Sequence, residues 1–327
     1  MASETEMVIR RLLLLAGLCA AAAGCELTEV VTPPGEDVLV VEAVLRADAR
    51  PQHFLLHRSL DGRVMGGAPG AAVSVITSEG AEVLFREDAA GACARWLEEA
   101  DTATASDLDV RATCYTSPAE AGAWVVAGKE YELRIETADG RRVRGRTRVP
   151  GAFDFRLPLA PSDSVEGVPY CTLAPDSVLR LVWSSSPGAW VYLASLDIFG
   201  LGAALAERGI EDIPEPLRLT GISISEADTT LILPTQFGVF ERAELDQTLL
   251  RALQGGLPPG VWGQVVIAAF DRNLVNAVRG GAFNPSGNVR ISSVVGDGVG
   301  VFGSLVPLSL AVAVAEDASS RCRGLPL

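Results

Sequence analysis

The chain has 327 residues and a formal net charge of −14, from 27 Lys and Arg against 41 Asp and Glu. An acidic balance of that size excludes a general grip on nucleic acid and adhesion to anionic lipid headgroups, since both draw on a basic surface. With two histidines and six cysteines, it is the cysteines that carry most of the readable chemistry.

The N-terminus comes first. Arg10 and Arg11 form a short basic stretch, Leu12 to Ala23 an apolar core, and Ala22, Ala23 and Gly24 a run of small residues before Cys25. This is the three-part layout of an export signal, and a cysteine just after the small residues makes it a lipoprotein signal. The apolar core is shorter than the ~20 residues a spanning helix needs. Cleavage after Gly24 frees the Cys25 thiol for diacylglycerol, and two or more acyl chains anchor stably. Residues 1–24 are thus expected to be a signal peptide, with the mature chain held to a membrane through lipid on Cys25. Ala22 stands where such signals usually carry Leu, so an ordinary secreted chain cut near Ala23 is the alternative. Glu26, rather than Asp, after the cysteine favours outer- over inner-membrane sorting, by analogy with enteric bacteria.

Cys19 leaves with the signal, and Cys93, Cys114, Cys171 and Cys322 remain. An even count in an exported chain indicates two disulfides, with three pairings open. Cys93–Cys114 and Cys171–Cys322 are favoured. The first closes a local loop; the second ties the start of the second half to the chain's end, a closure worth about 4–5 kcal/mol in the chain-entropy model. No Cys-x-x-Cys and no histidine beside a cysteine forms a zinc pattern.

Residues 25–327 exceed what one core usually holds, so two domains are expected. Residues 25–37, with Thr32-Pro33-Pro34-Gly35, read as a tether. From 38 to 150 the texture is β: Val38–Leu45, His53–His57, Ala72–Thr77, Val83–Phe85, Trp124–Val126, Tyr131–Thr137 and Arg142–Thr147, the last two joined by an Asp139-Gly140 hairpin turn. Residues 151–170 read as a proline-bearing connector. Residues 171–327 resume alternation at Val178–Trp183, Trp190–Ala194, Leu217–Ile224 and Thr229–Leu233. Helices are expected over Phe240–Leu253, stopped at Gly255-Gly256, and from an Asp271 N-cap to Arg279. Strands Val261–Ala268, Val289–Val295, Val299–Phe302 and Leu308–Val314 close the sheet, the last two parted by a turn at Pro307. The expected fold class is mainly β: two β-sandwich domains of immunoglobulin or fibronectin-like texture, the second with one or two short helices.

The order of features resembles a bacterial lipoprotein family catalogued as domain of unknown function 4249. The matching pieces are a lipid cysteine followed by Leu39-Val40-Val41-Glu42, then Pro69-Gly70-Ala71-Ala72-Val73-Ser74-Val75, then Gly128-Lys129-Glu130-Tyr131-Glu132-Leu133 running to Val149-Pro150, and late in the chain Asn288-Val289 and Gly300-Val301-Phe302-Gly303. The resemblance implies an outer-membrane lipoprotein of the kind found beside TonB-dependent transporters, with an accessory role. The cysteines and the acidic segment from Glu98 to Asp109 stand outside it.

Several constellations invite chemistry. Gly298-Val299-Gly300-Val301-Phe302-Gly303 spells Gly-x-Gly-x-x-Gly, but a dinucleotide site needs a helix to open there. Too little chain remains for a βαβ unit, so a glycine-rich β segment is expected. His53 and His57 would share one strand face about 13 Å apart, too far to chelate one metal. Gly221-Ile222-Ser223-Ile224-Ser225 fails the nucleophile-elbow pattern at its last position. Glu98, Glu99, Asp101, Asp107 and Asp109 crowd the segment between Cys93 and Cys114. Asp107-Leu108-Asp109 opens like a calcium loop, but Arg111 and Ala112 break the pattern. A solvated acidic loop, an irregular calcium site and a stapled protrusion that touches a partner stay open. Among Trp96, Trp124, Trp183, Trp190 and Trp262, Trp96 is expected to be exposed, and Trp183, Trp190 and Trp262 to be core; a sugar-stacking role is the alternative.

The function expected is a non-enzymatic, membrane-anchored lipoprotein that binds or scaffolds, with no cofactor, no nucleic acid, and an outer-membrane transporter or an extracellular ligand as partner. The competing expectations are an envelope hydrolase with a carboxylate pair and a purely structural envelope protein.

Overall fold

The structure, a computed structural model, describes residues 37–48, 51–58, 66–89, 93, 112–156, 164–165, 168–210, 212–223, 225–233, 247–279 and 291–315. In chain order the strands and helices are β1 (Leu39–Arg46), β2 (His53–Arg58), β3 (Gly66–Gly67), β4 (Ala72–Thr77), β5 (Glu82–Asp88), β6 (Thr113–Thr116), β7 (Glu130–Glu136), β8 (Arg142–Arg148), β9 (Ser164–Val165), β10 (Val168–Leu173), β11 (Leu179–Val182) and β12 (Val191–Phe199). There follow α1 (Leu201–Leu205), β13 (Leu217–Ile222), β14 (Thr230–Leu233), α2 (Gln247–Leu253), β15 (Trp262–Phe270), α3 (Arg272–Arg279), β16 (Val294–Gly296) and β17 (Gly298–Val314). The protein is mainly β, with few and short helices among the described residues. None of those helices is long and apolar enough to cross a membrane.

Period-2 alternation builds most of these strands. In β7 and β8 every second residue is buried (Tyr131, Leu133, Ile135; Val143, Gly145, Thr147) and the residues between them face out, as a half-buried pair requires. The Asp139-Gly140 turn joins them, with Gly140 at φ 86°.

One large sheet runs in the order β13-β12-β15-β17-β1-β2-β6-β5-β4-β7-β8-β16, with β10 also on β17 and β3 on β2; β11 and β14 form a separate pair. The first half of the chain curls on itself. Gly145 of β8 packs face to face on Phe302 of β17, where an added Cβ would stand 2.9 Å from the Phe302 Cβ. Inside the curl Phe302 meets Phe54 edge-on, and Phe54 stacks on Phe85 at 4.2 Å. In the second half, Leu196, Ile198, Val265, Ile267, Leu310 and Val312 belong to one buried cluster with Leu179 and Leu181 of β11 and with α1 and α2.

β17 is the common element. Its first part pairs in parallel with β1 (Leu39↔Gly298 to Arg46↔Leu305), its last part in parallel with β10 (Tyr170↔Ala311 to Leu173↔Val314), and its other edge with β15. The connector of the sequence reading is partly structured: β10 begins at Val168, Phe153 is buried, and Phe155 bridges Trp183. The described residues from Asp37 onward form one compact unit.

The expected turn at Pro307 does not exist; β17 runs straight through it. The reason lies in the sheet edge. The carbonyl of Leu305 accepts from Ala47 N–H on the β1 side, so position 307, two residues on, points its nitrogen the same way. β1 pairing ends at Leu305 and β10 pairing begins at Ala311. The missing N–H of proline falls in that gap, the kind of place where a strand tolerates proline. Two further differences are local. Trp124–Val126 is irregular, and of Val289–Val295 only Val294 and Val295 enter a strand among the described residues. The helix ending at Gly255-Gly256 is present as α2, with residues 240–246 outside the described set.

Candidate binding cleft

The outward face of the β7–β8 hairpin is a double row of charge. Across it Glu130 stands opposite Arg148, Glu132 opposite Arg146, Arg134 opposite Arg144, and Glu136 opposite Arg142. Three of these pairs are complementary: Arg142 reaches Glu136 at 3.2 Å, Arg146 reaches Glu132 at 3.2 Å, and Arg148 lies 4.0 Å from Glu130. The fourth sets two guanidiniums face to face. Arg134 turns along its own strand to Glu132 at 2.8 Å, and among the described residues Arg144 has no carboxylate partner.

Behind this face sits Asp271, the residue between β15 and α3. The sequence marks it as an N-cap, and its Oδ1 accepts from Leu274 N–H at 2.9 Å, three residues on. The same oxygen accepts from Ser304 N–H at 3.1 Å, and Oδ2 accepts from the Thr147 hydroxyl at 2.6 Å. Asp271 is 4% exposed. Burial holds its carboxyl above the ordinary carboxylate range, against the pull of those donors. Asn273 adds a clamp, its amide donating to the carbonyls of Arg146 (2.8 Å) and Phe302 (2.9 Å). At the rim the Arg272 guanidinium lies 5.1 Å from the centre of the Trp190 ring.

Together these elements enclose an open cleft of about 590 Å³, with Glu130, Glu132, Arg146, Arg148, Trp190 and Arg272 on its walls. A recess of about 420 Å³ shares Glu132, Arg146 and Asn273 with it and adds Arg144, Ser293 and Val295. Glu132 is held below the ordinary glutamate range, first by its hydrogen bond from Arg134 and then by that from Arg146, so it stays ionised at neutral pH. The arrangement presents guanidiniums and an indole rim to solvent, a surface suited to anionic and planar groups.

The other residues singled out in the sequence fall as follows. Cys93 and Cys114 form a disulfide with Cα atoms 5.7 Å apart. Cys171 is also disulfide-bonded, and Cys322 lies outside the described residues. So do Cys25, Trp96, Glu98, Glu99, Asp101, Asp107 and Asp109. His53, Cys93 and Cys114 place their ligand atoms within 4.8 Å of one another, but the two sulfurs are bonded to each other and offer no thiolate. His53 Nδ1 instead meets Thr116 Oγ1 at 3.0 Å, and His57 Nε2 lies 3.5 Å from Glu42. Gly298–Gly303 lies in β17 with no helix following. Trp183 is buried as expected, but Trp190 and Trp262 are 40% and 48% exposed, not core. Strand alternation could not say which face of the sheet would meet the core. The arginine row was visible as a strand, yet nothing local told that α3 and Trp190 would wall it into a cleft.

The hairpin that carries this face lies within a segment that other proteins share. Residues 27–171 match the model of a domain of unknown function, DUF4249. That match takes in β7 and β8 but not Trp190, Asp271 or α3, so the cleft combines matched and unmatched parts of the chain. No curated protein matches the sequence. Among solved structures, the crystal structure of a DUF4785 family protein from Legionella pneumophila subsp. pneumophila str. Philadelphia 1 is similar over 69% of this chain and 51% of that one, at 8% identity and a TM-score of 0.21. The chain thus spans about half the length of that protein.

Proposed function

We propose that the chain is an exported lipoprotein, anchored in the outer membrane through Cys25, that acts as a non-enzymatic binding or scaffolding accessory. The observation that carries the binding role is the hairpin face at the cleft: five arginines against three glutamates, with Arg144 left without a carboxylate partner among the described residues, on the surface of a chain whose net charge is −14. A positive face maintained against the overall charge selects an acidic partner surface or ligand and steers its approach. The Cys93–Cys114 disulfide supports an oxidising compartment, and the resemblance to envelope lipoproteins supports an outer-membrane transporter as the partner. In this reading the fold is two sandwich-like lobes, residues 38–150 and 171–327, that share β17, on a tether over 25–37.

The test is purification of the native protein from its membranes in mild detergent. A transporter in fixed ratio, lost when Arg142, Arg144 and Arg146 are changed together to Ala, supports the reading. A protein that needs no detergent refutes the anchor, and one that emerges lipidated but alone refutes the partner.

A second reading has its own observation. Asp271 borders the cleft with a raised pKa, a mark of catalytic carboxylates. An envelope hydrolase built on it would lose all activity in Asp271→Asn. Its oxygens are already occupied by Thr147, Leu274 and Ser304, which favours the cap role.

A further inference from the structure

Away from the cleft, the large sheet turns a second face outward. In the strands β12, β15, β17 and β10, the residues between the buried ones stand on that face, and those in direct register form rows. One row reads Phe199, Trp262, Ala313, Thr172; the next reads Asp197, Gln264, Ala311, Tyr170. Phe199 and Trp262 stack almost parallel, with ring centres 3.9 Å apart and planes 4° apart. Among the described residues, Trp262 has no comparable ring on its other side. Its register partner there is Ala313, whose methyl is too short to cover an indole, and the ring is 48% exposed.

Beyond the alanines the face rises again. Tyr170 Oη and Thr172 Oγ1 lie 2.8 Å apart, so the two hydroxyls form one polar wall on β10. The slot is therefore bounded by indole on one side and hydroxyls on the other, with Ala311 and Ala313 as its floor. The two walls stand on strands two spacings apart, about 9.6 Å. A saturated six-membered ring stacked on the indole leaves its far edge within reach of the hydroxyl wall. The charges of the adjoining row are matched, Asp197 accepting from Arg218 at 2.7 and 2.8 Å, so among the described residues the slot offers no free charge. A nucleobase comes with phosphates, which the acidic chain repels.

We propose that this slot is a saccharide-binding site for neutral pyranose units, with Trp262 as the stacking platform, Phe199 as its backing, and Tyr170 and Thr172 as hydroxyl partners. The ring's C–H face packs on the indole while its hydroxyls exchange hydrogen bonds with the wall, the usual division of labour between an aromatic body and a few placed polar groups. This site is independent of the arginine cleft.

The experiment titrates the full chain with cellohexaose, xylohexaose and maltohexaose by calorimetry and intrinsic tryptophan fluorescence. One of the three is expected to bind and to shift the emission. Trp262→Ala should weaken that binding at least tenfold. Ala313→Leu, which fills the slot and leaves the aromatic stack in place, should do the same with an unchanged melting temperature. Trp190→Ala, at the cleft, should leave the affinity as it was. Absence of binding by all three sugars overturns the proposal, as does binding that survives Ala313→Leu or that falls with Trp190→Ala.

Discussion

Thr147 donates its hydroxyl proton to Asp271 at 2.6 Å, across 124 positions of sequence, and the contact joins the family-matched hairpin to the helix that walls the cleft. Ser304 of β17 completes the triangle, its Oγ 2.9 Å from Thr147 Oγ1 and its N–H on Asp271. Three elements that meet nowhere else in sequence are thus held by one buried carboxylate.

Asp271→Ala leaves the N–H groups of Leu274 and Ser304 and the Thr147 hydroxyl without their acceptor, and should cost about 2–4 kcal/mol. Asp271→Asn should cost clearly less, because its amide oxygen accepts and its NH2 group can donate to Thr147 in reverse. Denaturant midpoints of the three proteins check the order.

The same pair gives a pH signature. Burial raises the folded pKa of Asp271 above its ordinary 3.8, so between 3.8 and that raised value the folded state binds more protons than the unfolded one. Stability from this group is full below 3.8 and falls as pH rises through the window. Carboxylates held low, such as Glu132 and Asp139, slope the other way, but they are common to both proteins. The stability of wild type minus that of Asp271→Asn should therefore decrease from pH 3.5 to 7. A flat or rising difference would show that the donors outweigh desolvation.

Arg144 and Arg134 stand directly opposite on the exposed face, and like charges so placed repel. Arg144→Glu converts the pair to a complementary one and should raise stability by ~0.2–1 kcal/mol at low salt, with the gain shrinking in 1 M salt. In the co-purification test the same variant should lose partner. Stability up and binding down together would mark a residue kept for binding.

Gly300 lies at φ 131°, and a Cβ there would run into the carbonyl oxygen of Val41 on β1. Gly300→Ala should open the parallel β1–β17 pairing and cost roughly 2–4 kcal/mol, measurable as lost amide protection in Leu39–Arg46. An exposed glycine such as Gly140, with nothing within 4 Å of its Cβ position, should lose less from backbone strain alone.

Replacing Cys93 and Cys114 together by Ala should lower stability by about 3 kcal/mol, the chain-entropy value for a loop with the ends 21 residues apart. Thermal melting of the variant against the wild type reads it. Reduction of the wild type reads it less cleanly, because Cys171 is also disulfide-bonded.

The sequence by itself determined many of the strands, though not β6, nor the start of β10, nor the run of β17 through Pro307. Alternation in Glu130–Glu136 and Arg142–Arg148, the Asp139-Gly140 turn, the Asp271 cap and the Cys93–Cys114 staple are local or nearly local signals, because backbone period and turn chemistry act within a few residues. Only the tertiary structure decided sidedness and partnership. Alternation says that Trp262 and Gly263 face opposite ways but not which of them meets the core, and it was Gly263 that did. Pro307 looked like a turn because a proline breaks a ladder; it does not break this one, since its missing donor faces the gap between β1 and β10. The cleft depends on Thr147, Asp271 and Ser304 converging from three distant segments, and convergence is a property of the packed sheet that no window of sequence contains.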